Sequence, residues 1–163
     1  MTQLTSLAQA RARYFDDERC RGFLEQIRWP LGVRCLRCGS RKLSQVRRLR
    51  HRSEEKARIL HECASCKYQF SATTGTFLHR SHLPLHHWFV VLWQYQTSAQ
   101  QISGAWIAKS IGVTYTTAWR MKDRLRRNKN NEFLQELARR SVKGDIRRTE
   151  NLPSGLPPGA VPL

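Results

Sequence analysis

Two cysteine pairs hold the chemistry that is easiest to read in this chain: Cys35-Leu36-Arg37-Cys38 and Cys63-Ala64-Ser65-Cys66, with 24 residues between them. A two-residue spacer lets one tight turn present two thiolates. Two such turns supply the four soft ligands of a tetrahedral Zn2+ site. Four thiolates leave no position for a reacting water, so one structural zinc is expected on Cys35, Cys38, Cys63 and Cys66. Gly39 follows the first pair and suits the turn. A redox role for either pair lacks the surrounding βαβ pattern it would need. His51 and His61 are close enough in sequence to substitute, but the four cysteines suffice. Cys20 stands alone and is expected to be a small buried residue. The metal should add on the order of 10 kcal/mol of apparent binding energy to a module with a thin core.

The elements that must position these ligands follow from the hydrophobic period. Residues 1–13 are polar and small and read as an N-terminal tail. Residues 14–28 read as one amphipathic helix, with Tyr14, Phe15, Phe23, Leu24 and Ile27 on a broad face and Asp16, Asp17 and Glu18 near its N-terminal end. Pro30 and Gly32 stop it. Residues 33–79 read as a small β module around the metal. Val46 and Leu49 lie in a first short strand, Ser53 to Lys56 form a polar turn, Ile59 to Glu62 return, and Tyr68 and Phe70 alternate as in a half-buried strand.

Beyond Pro84 the period becomes helical. Helices are expected over 85–98, 103–111, 115–129 and 131–141. Trp88, Trp93, Trp106 and Trp119 fall among other apolar residues and are expected in the core. Gly112-Val113-Thr114 separates two of these helices with the length of a helix-turn-helix. The second helix of such a motif enters the major groove by its N-terminal residues, here Thr114, Tyr115, Thr116, Thr117 and Arg120. Arg124 and Arg127 continue a basic side suited to phosphates, and Arg47, Arg48 and Arg50 form a second basic segment in the β module.

The whole chain of 163 residues bears a net charge of +17, from 29 Lys and Arg against 12 Asp and Glu. Such an excess attracts polyanions, and double-stranded DNA is the partner expected. The longest apolar run, Trp88 to Trp93, is far short of the roughly 20 residues that cross a bilayer. Residues 1–13 have no apolar core of a secretion signal. Five cysteines in a chain without one point to metal rather than disulfides, and to the reducing cytosol.

The run Glu25, Arg28-Trp29-Pro30, Gly32, Cys35 to Gly39, Cys63 to Cys66, Tyr68 to Ser71 and Gly75-Thr76-Phe77 resembles the N-terminal zinc ribbon of a group of bacterial insertion-sequence transposases. The resemblance continues through Leu83-Pro84-Leu85, Trp88-Phe89 and Ala118 to Met121, and covers about residues 14–127. Leu36 departs from a proline frequent in that family. The resemblance implies recognition of the ends of a mobile element. It also implies a C-terminal nuclease domain of the ribonuclease H type, in which acidic residues hold two metals. The segment Gly144 to Glu150 looks like the strand that opens that domain, with Thr149 at the position of its first catalytic aspartate. A neutral hydroxyl does not replace a carboxylate on Mg2+.

The expected fold class is α+β: a small zinc ribbon of short antiparallel β, preceded by a helix and followed by a helical helix-turn-helix bundle. The expected organisation is a tail over 1–13, helix plus ribbon over 14–79, a helical domain over 80–143, and a remnant strand with a disordered proline-rich tail over 144–163. The expected function is DNA binding at the terminal inverted repeats of an insertion sequence, in a truncated, non-enzymatic chain without catalytic residues, nucleoid-associated in a bacterial cytoplasm. Full-length transposase or a second copy would be its protein partners. Rival readings are a regulator or inhibitor of transposition or transcription, a protein-interaction zinc ribbon, and an inert frameshift remnant.

Overall fold

The computed structural model describes residues 5–50 and 53–143, with backbone alone for 48–50 and 53–58. Gly144 to Glu150, including Thr149, the proline-rich tail and His51 lie outside the described residues. The described residues form a mixed α+β structure with six helices and a three-stranded antiparallel sheet. They fall into two compact units, one of the residues up to Leu24 together with those from Ser81 onward, the other Glu25–Arg80. Residues 14–24, joined to the ribbon in the sequence reading, thus group with the helical unit.

The expected tail is partly helical. Helix α1, Leu7–Arg13, starts because Ser6 accepts from the Gln9 N–H and the Gln9 side chain accepts from the Ser6 N–H, a reciprocal capping box. It stays because Ala10, fully buried, packs with Trp93 and Val142. The single helix expected over 14–28 is α2, Asp17–Arg28, shorter at its start. Tyr14 leaves helical geometry at φ −110°, ψ 39°. The Asp16 carboxylate then takes the N–H groups of Glu18 and Arg19, at 3.2 and 2.9 Å, and opens a new helix. An N-cap needs an extended backbone, so Asp16 cannot also sit inside a helix.

In the helical unit, α3 (Leu85–Thr97) buries every residue from Trp88 to Trp93. A helix apolar on all sides must be surrounded. It packs against α1, α4 (Gly104–Ile111) and α6 (Glu132–Lys143). Phe89 is fully buried and its ring lies 5.1 Å from Tyr14 and 5.4 Å from Phe23. Burial pushes the Tyr14 hydroxyl pKa up, and its O–H donates to the Ser141 carbonyl at 2.8 Å. Asp17 closes the start of α3, accepting from the His86 backbone N–H at 3.0 Å and lying 2.6 Å from its Nδ1. Cys20 is fully buried, and burial with the Asp17 and Asp16 carboxylates pushes its thiol up to about 12, in keeping with a packing role.

In the ribbon unit, β1 (Leu43–Arg50) pairs antiparallel with β2 (Ser53–Cys63), which pairs with β3 (Gln69–Phe70). Leu43 faces Cys63, Val46 faces Leu60, and the ladder runs out to Arg50 opposite Ser53, with an irregularity between Arg48 and Arg50. Ser53 to Lys56, expected as a turn, is therefore strand. That stretch has no hydrophobic alternation to announce it; its start is paired through Ser53, opposite Arg50.

Candidate metal centre and nucleic-acid interface

The two cysteine turns are built by backbone geometry that matches between them. Gly39 N–H donates to the Cys35 carbonyl at 2.9 Å, and Lys67 N–H donates to the Cys63 carbonyl at 2.8 Å. Each turn ends in a left-handed residue, Gly39 at φ 72° and Lys67 at φ 58°. The first is glycine, which adopts this region freely; the second is not, and carries the strain of its Cβ. Lys67→Gly should therefore raise ribbon stability by about 0.5–1 kcal/mol, the steric relief less the entropy that glycine loses. Gly39→Ala should lower it by about 1 kcal/mol. Thermal melts of the zinc-loaded protein compare the two; a drop with Lys67→Gly would contradict the account.

The four sulfurs converge. The Sγ atoms of Cys35, Cys38, Cys63 and Cys66 all lie within 4.8 Å of one another. Cys35 and Cys66 are 3.5 Å apart, and Cys38 and Cys63 3.6 Å. Sulfurs each about 2.3 Å from one tetrahedral ion lie roughly 3.8 Å apart, whereas a disulfide brings them to about 2.05 Å. The donor set and spacing thus fit one Zn2+ and no cross-link. Burial opposes ionisation of Cys63, but the backbone N–H groups of Cys66 and Ser65 and the thiols of Cys38 and Cys35 outweigh it, bringing Cys63 down to about 6. Preformed N–H donors to a sulfur favour the thiolate that a metal needs.

His61 takes no part in this cluster. Its Nε2 lies 3.0 Å from Glu25 Oε1, and its ring packs between Trp29, at 6.0 Å, and Phe70, at 5.4 Å. It is 4 % exposed, so the carboxylate beside it satisfies a polar group the core would otherwise strand. Trp29, Val33, Leu43 and Tyr68 pack against Cys35, Cys63 and Phe70 and cover the metal side of the sheet. Arg28 lies over the Trp29 ring at 4.6 Å and donates to the Ala72 carbonyl at 2.8 Å. Burial lowers its pKa to about 10, against the neighbouring Tyr68, so it stays charged at neutral pH. The Glu25–His61 pair and the Arg28 tie were missed as partners in the sequence, which shows the residues but not who meets whom.

The helical unit forms the second candidate site. Helices α4 and α5 (Tyr115–Arg127) pack together across a turn in which Gly112 is left-handed at φ 69°. Its N–H and that of Val113 both donate to the Ala108 carbonyl, at 3.0 and 3.2 Å, closing α4. Thr114 is extended and its hydroxyl accepts from the Thr117 N–H at 3.3 Å, opening α5. Ala118, Met121 and Leu125 face inward. Thr114, Tyr115, Thr116 and Arg120 are exposed, and Thr117 is half-buried with its hydroxyl 3.0 Å from that of Thr114.

The basic residues differ in availability. Arg124 is half-buried, with its guanidinium 5.9 Å from the centre of the Trp88 ring. Arg127 is exposed and pairs with Asp123 at 2.8 Å, as does Arg126 at 3.0 Å. Hydrogen bonding to Arg126 and then the Arg127 charge hold the Asp123 carboxyl below its usual range. Lys122, Arg126 and Lys129 are also exposed on α5. Arg47 is exposed on β1, and the side chains of Arg48 and Arg50 are outside the described set.

Three of the four tryptophans expected in the core are buried or partly so, but Trp119 is 52 % exposed. It falls one position beyond Ala118 in the inward stripe of α5, so the helix turns it outward. Its apolar character misleads a reading based on composition; counting from Met121 and Leu125 at helical spacing would have placed it outside.

Among the described residues, no helix is long and apolar enough to cross a membrane. Residues 15–69 match the family model described as a transposase zinc-ribbon domain. The chain is also similar to a protein of Halobacterium salinarum described as an uncharacterized protein in transposable element ISH50. The two are 30 % identical over 117 residues, which is 70 % of this chain and 36 % of that protein. The chain thus spans about a third of the length of that relative. No solved structure matches. With four converging cysteines and this match, residues 15–69 are a zinc ribbon of the transposase zinc-ribbon type with one structural zinc.

Proposed function

We propose that this chain is a DNA-binding region of transposase type that holds the terminal inverted repeats of an insertion sequence and does not itself cut. The observation that carries this is the α4–α5 pair: a glycine-broken turn, a threonine-capped second helix, and an exposed N-terminal half on that helix with Arg120 at its edge. That is the geometry by which a helix presents its first turns to a major groove. The net charge of +17 supplies the long-range attraction. In this reading Thr114, Tyr115, Thr116, Thr117 and Arg120 approach base edges. Arg127, Lys122, Arg126 and Lys129 meet phosphates, and the ribbon, with Arg47 on its first strand, adds a second contact. Arg124, folded over Trp88, supports the helix more than it reaches DNA.

The test is a binding titration of zinc-loaded protein against inverted-repeat duplexes and scrambled duplexes at equal salt. About five phosphate contacts give a roughly 10²–10³-fold loss of affinity between 50 and 200 mM salt. Arg120→Ala should weaken the repeat by about 1–3 kcal/mol and narrow its advantage over scrambled DNA. Equal affinity for both duplexes at every salt concentration would sink the proposal. A retained complex after nuclease treatment would favour a protein partner for the ribbon instead.

A further inference from the structure

Helix α5 carries two of the most exposed large apolar side chains among the described residues, Tyr115 at 62 % and Trp119 at 52 %. They are four residues apart and so lie side by side on the helix surface. Their neighbours Thr116, Arg120, Lys122 and Arg126 are all exposed. The result is a small aromatic stripe inside a basic field, in which the nearby acid, Asp123, is already paired with Arg126 and Arg127. The Tyr115 ring is held in place: a Cβ added at Gly104 would come within 3.3 Å of its Cε2, so the ring lies against the start of α4. Trp119 makes no hydrogen bond or ring contact among the described residues.

An indole left half in water on a helix that has an inward apolar stripe contributes nothing to the core. It has value where a partner covers it. The partner must be anionic around the rim, to match three cations, and apolar at the point of contact. The major groove of duplex DNA has this pattern, with phosphates along its walls and the C5-methyl groups of thymine on its floor. Along α5 the two rings are about 6 Å apart, from the helical rise, which is close to two base-pair steps. We infer that Tyr115 and Trp119 read thymine methyl groups on base pairs about two steps apart, making this stripe a specificity determinant of the site. The inference rests on the DNA-binding reading above. It adds to that reading a chemical identity for part of the target.

The experiment uses the full zinc-loaded chain. Duplexes are selected from a random pool by binding, and each thymine of the winner is replaced in turn by deoxyuridine, which pairs identically but lacks the methyl group. At one position, or at two positions about two steps apart, the replacement should weaken binding about fourfold each, the change expected for one buried methyl-sized group. Trp119→Ala should bind the thymine duplex roughly tenfold more weakly and lose its response to uracil at one of those positions. Trp119→Phe should recover part of both. Because the side chain is half exposed, circular dichroism should show both variants folded. Indifference to uracil at every position, or an undiminished response in Trp119→Ala, overturns the inference while the DNA reading stands. Loss of self-association in Trp119→Ala, with DNA affinity intact, also overturns it in favour of a contact between copies. If no duplex is enriched over random DNA, the DNA reading itself fails and the inference falls with it.

Discussion

Cys63→Ser, or removal of zinc by a chelator, unfolds the ribbon. The expectation follows from what else holds that unit. Its sheet has a short third strand of two residues, Gln69–Phe70, and a core in which Cys35 and Cys63 are themselves members beside Phe70. A structural zinc in such a setting contributes roughly 10–16 kcal/mol of apparent binding energy at neutral pH, more than a small sheet can replace. Cys63 also sits at the pairing of β1 and β2, opposite Leu43, so its loss reaches both the metal and the strand end. The measurement is amide hydrogen exchange across β2 together with zinc stoichiometry. Wild type should hold one zinc and protect those amides; the variant should hold none and lose protection. Zinc-free protein with a protected β1–β2 ladder would show that the sheet stands without its metal. Acid should release the metal as well, because the four sulfurs bind it only as thiolates.

The second large effect lies in the helical unit. Phe89→Ala should cost about 3–5 kcal/mol, the range for emptying a fully buried aromatic site. The ring touches Tyr14 and Phe23, so three elements, α2, α3 and the residue ending α1, meet at one side chain. With a urea dependence of about 1–3 kcal/mol per molar for a unit of this size, the midpoint should fall by roughly 1–5 M. Trp119→Ala is the contrast: a larger side chain removed, but from a half-exposed position, with a change within about 0.5 kcal/mol. Equal losses from the two substitutions would mean that Trp119 is buried after all.

The parts that were legible share a physical property: they are local. Two-residue spacers between cysteines are a property of one turn. So is the glycine at 112, because left-handed geometry at a helix end involves neighbours in sequence; the cap at Thr114 came from the structure. The helical period after Pro84 survives because α4, α5 and α6 each carry an inward apolar stripe, while α3 is buried all round between Trp88 and Trp93. What went astray was decided by competition between near-equal local options. Asp16 could lie within a helix or cap one, and the cap won. Ser53 to Lys56 could turn or pair, and the hairpin extended through them.

By itself the sequence determined the zinc ligands, the helix-turn-helix and the transposase resemblance, because each depends on residue types at short fixed spacings. Tertiary structure alone decided which side chains those frames expose or bury. It paired Glu25 with His61, laid Arg124 over Trp88 and turned Trp119 outward. The reason is that burial is a relation between distant segments, and no short window of residues contains its own neighbours across the fold.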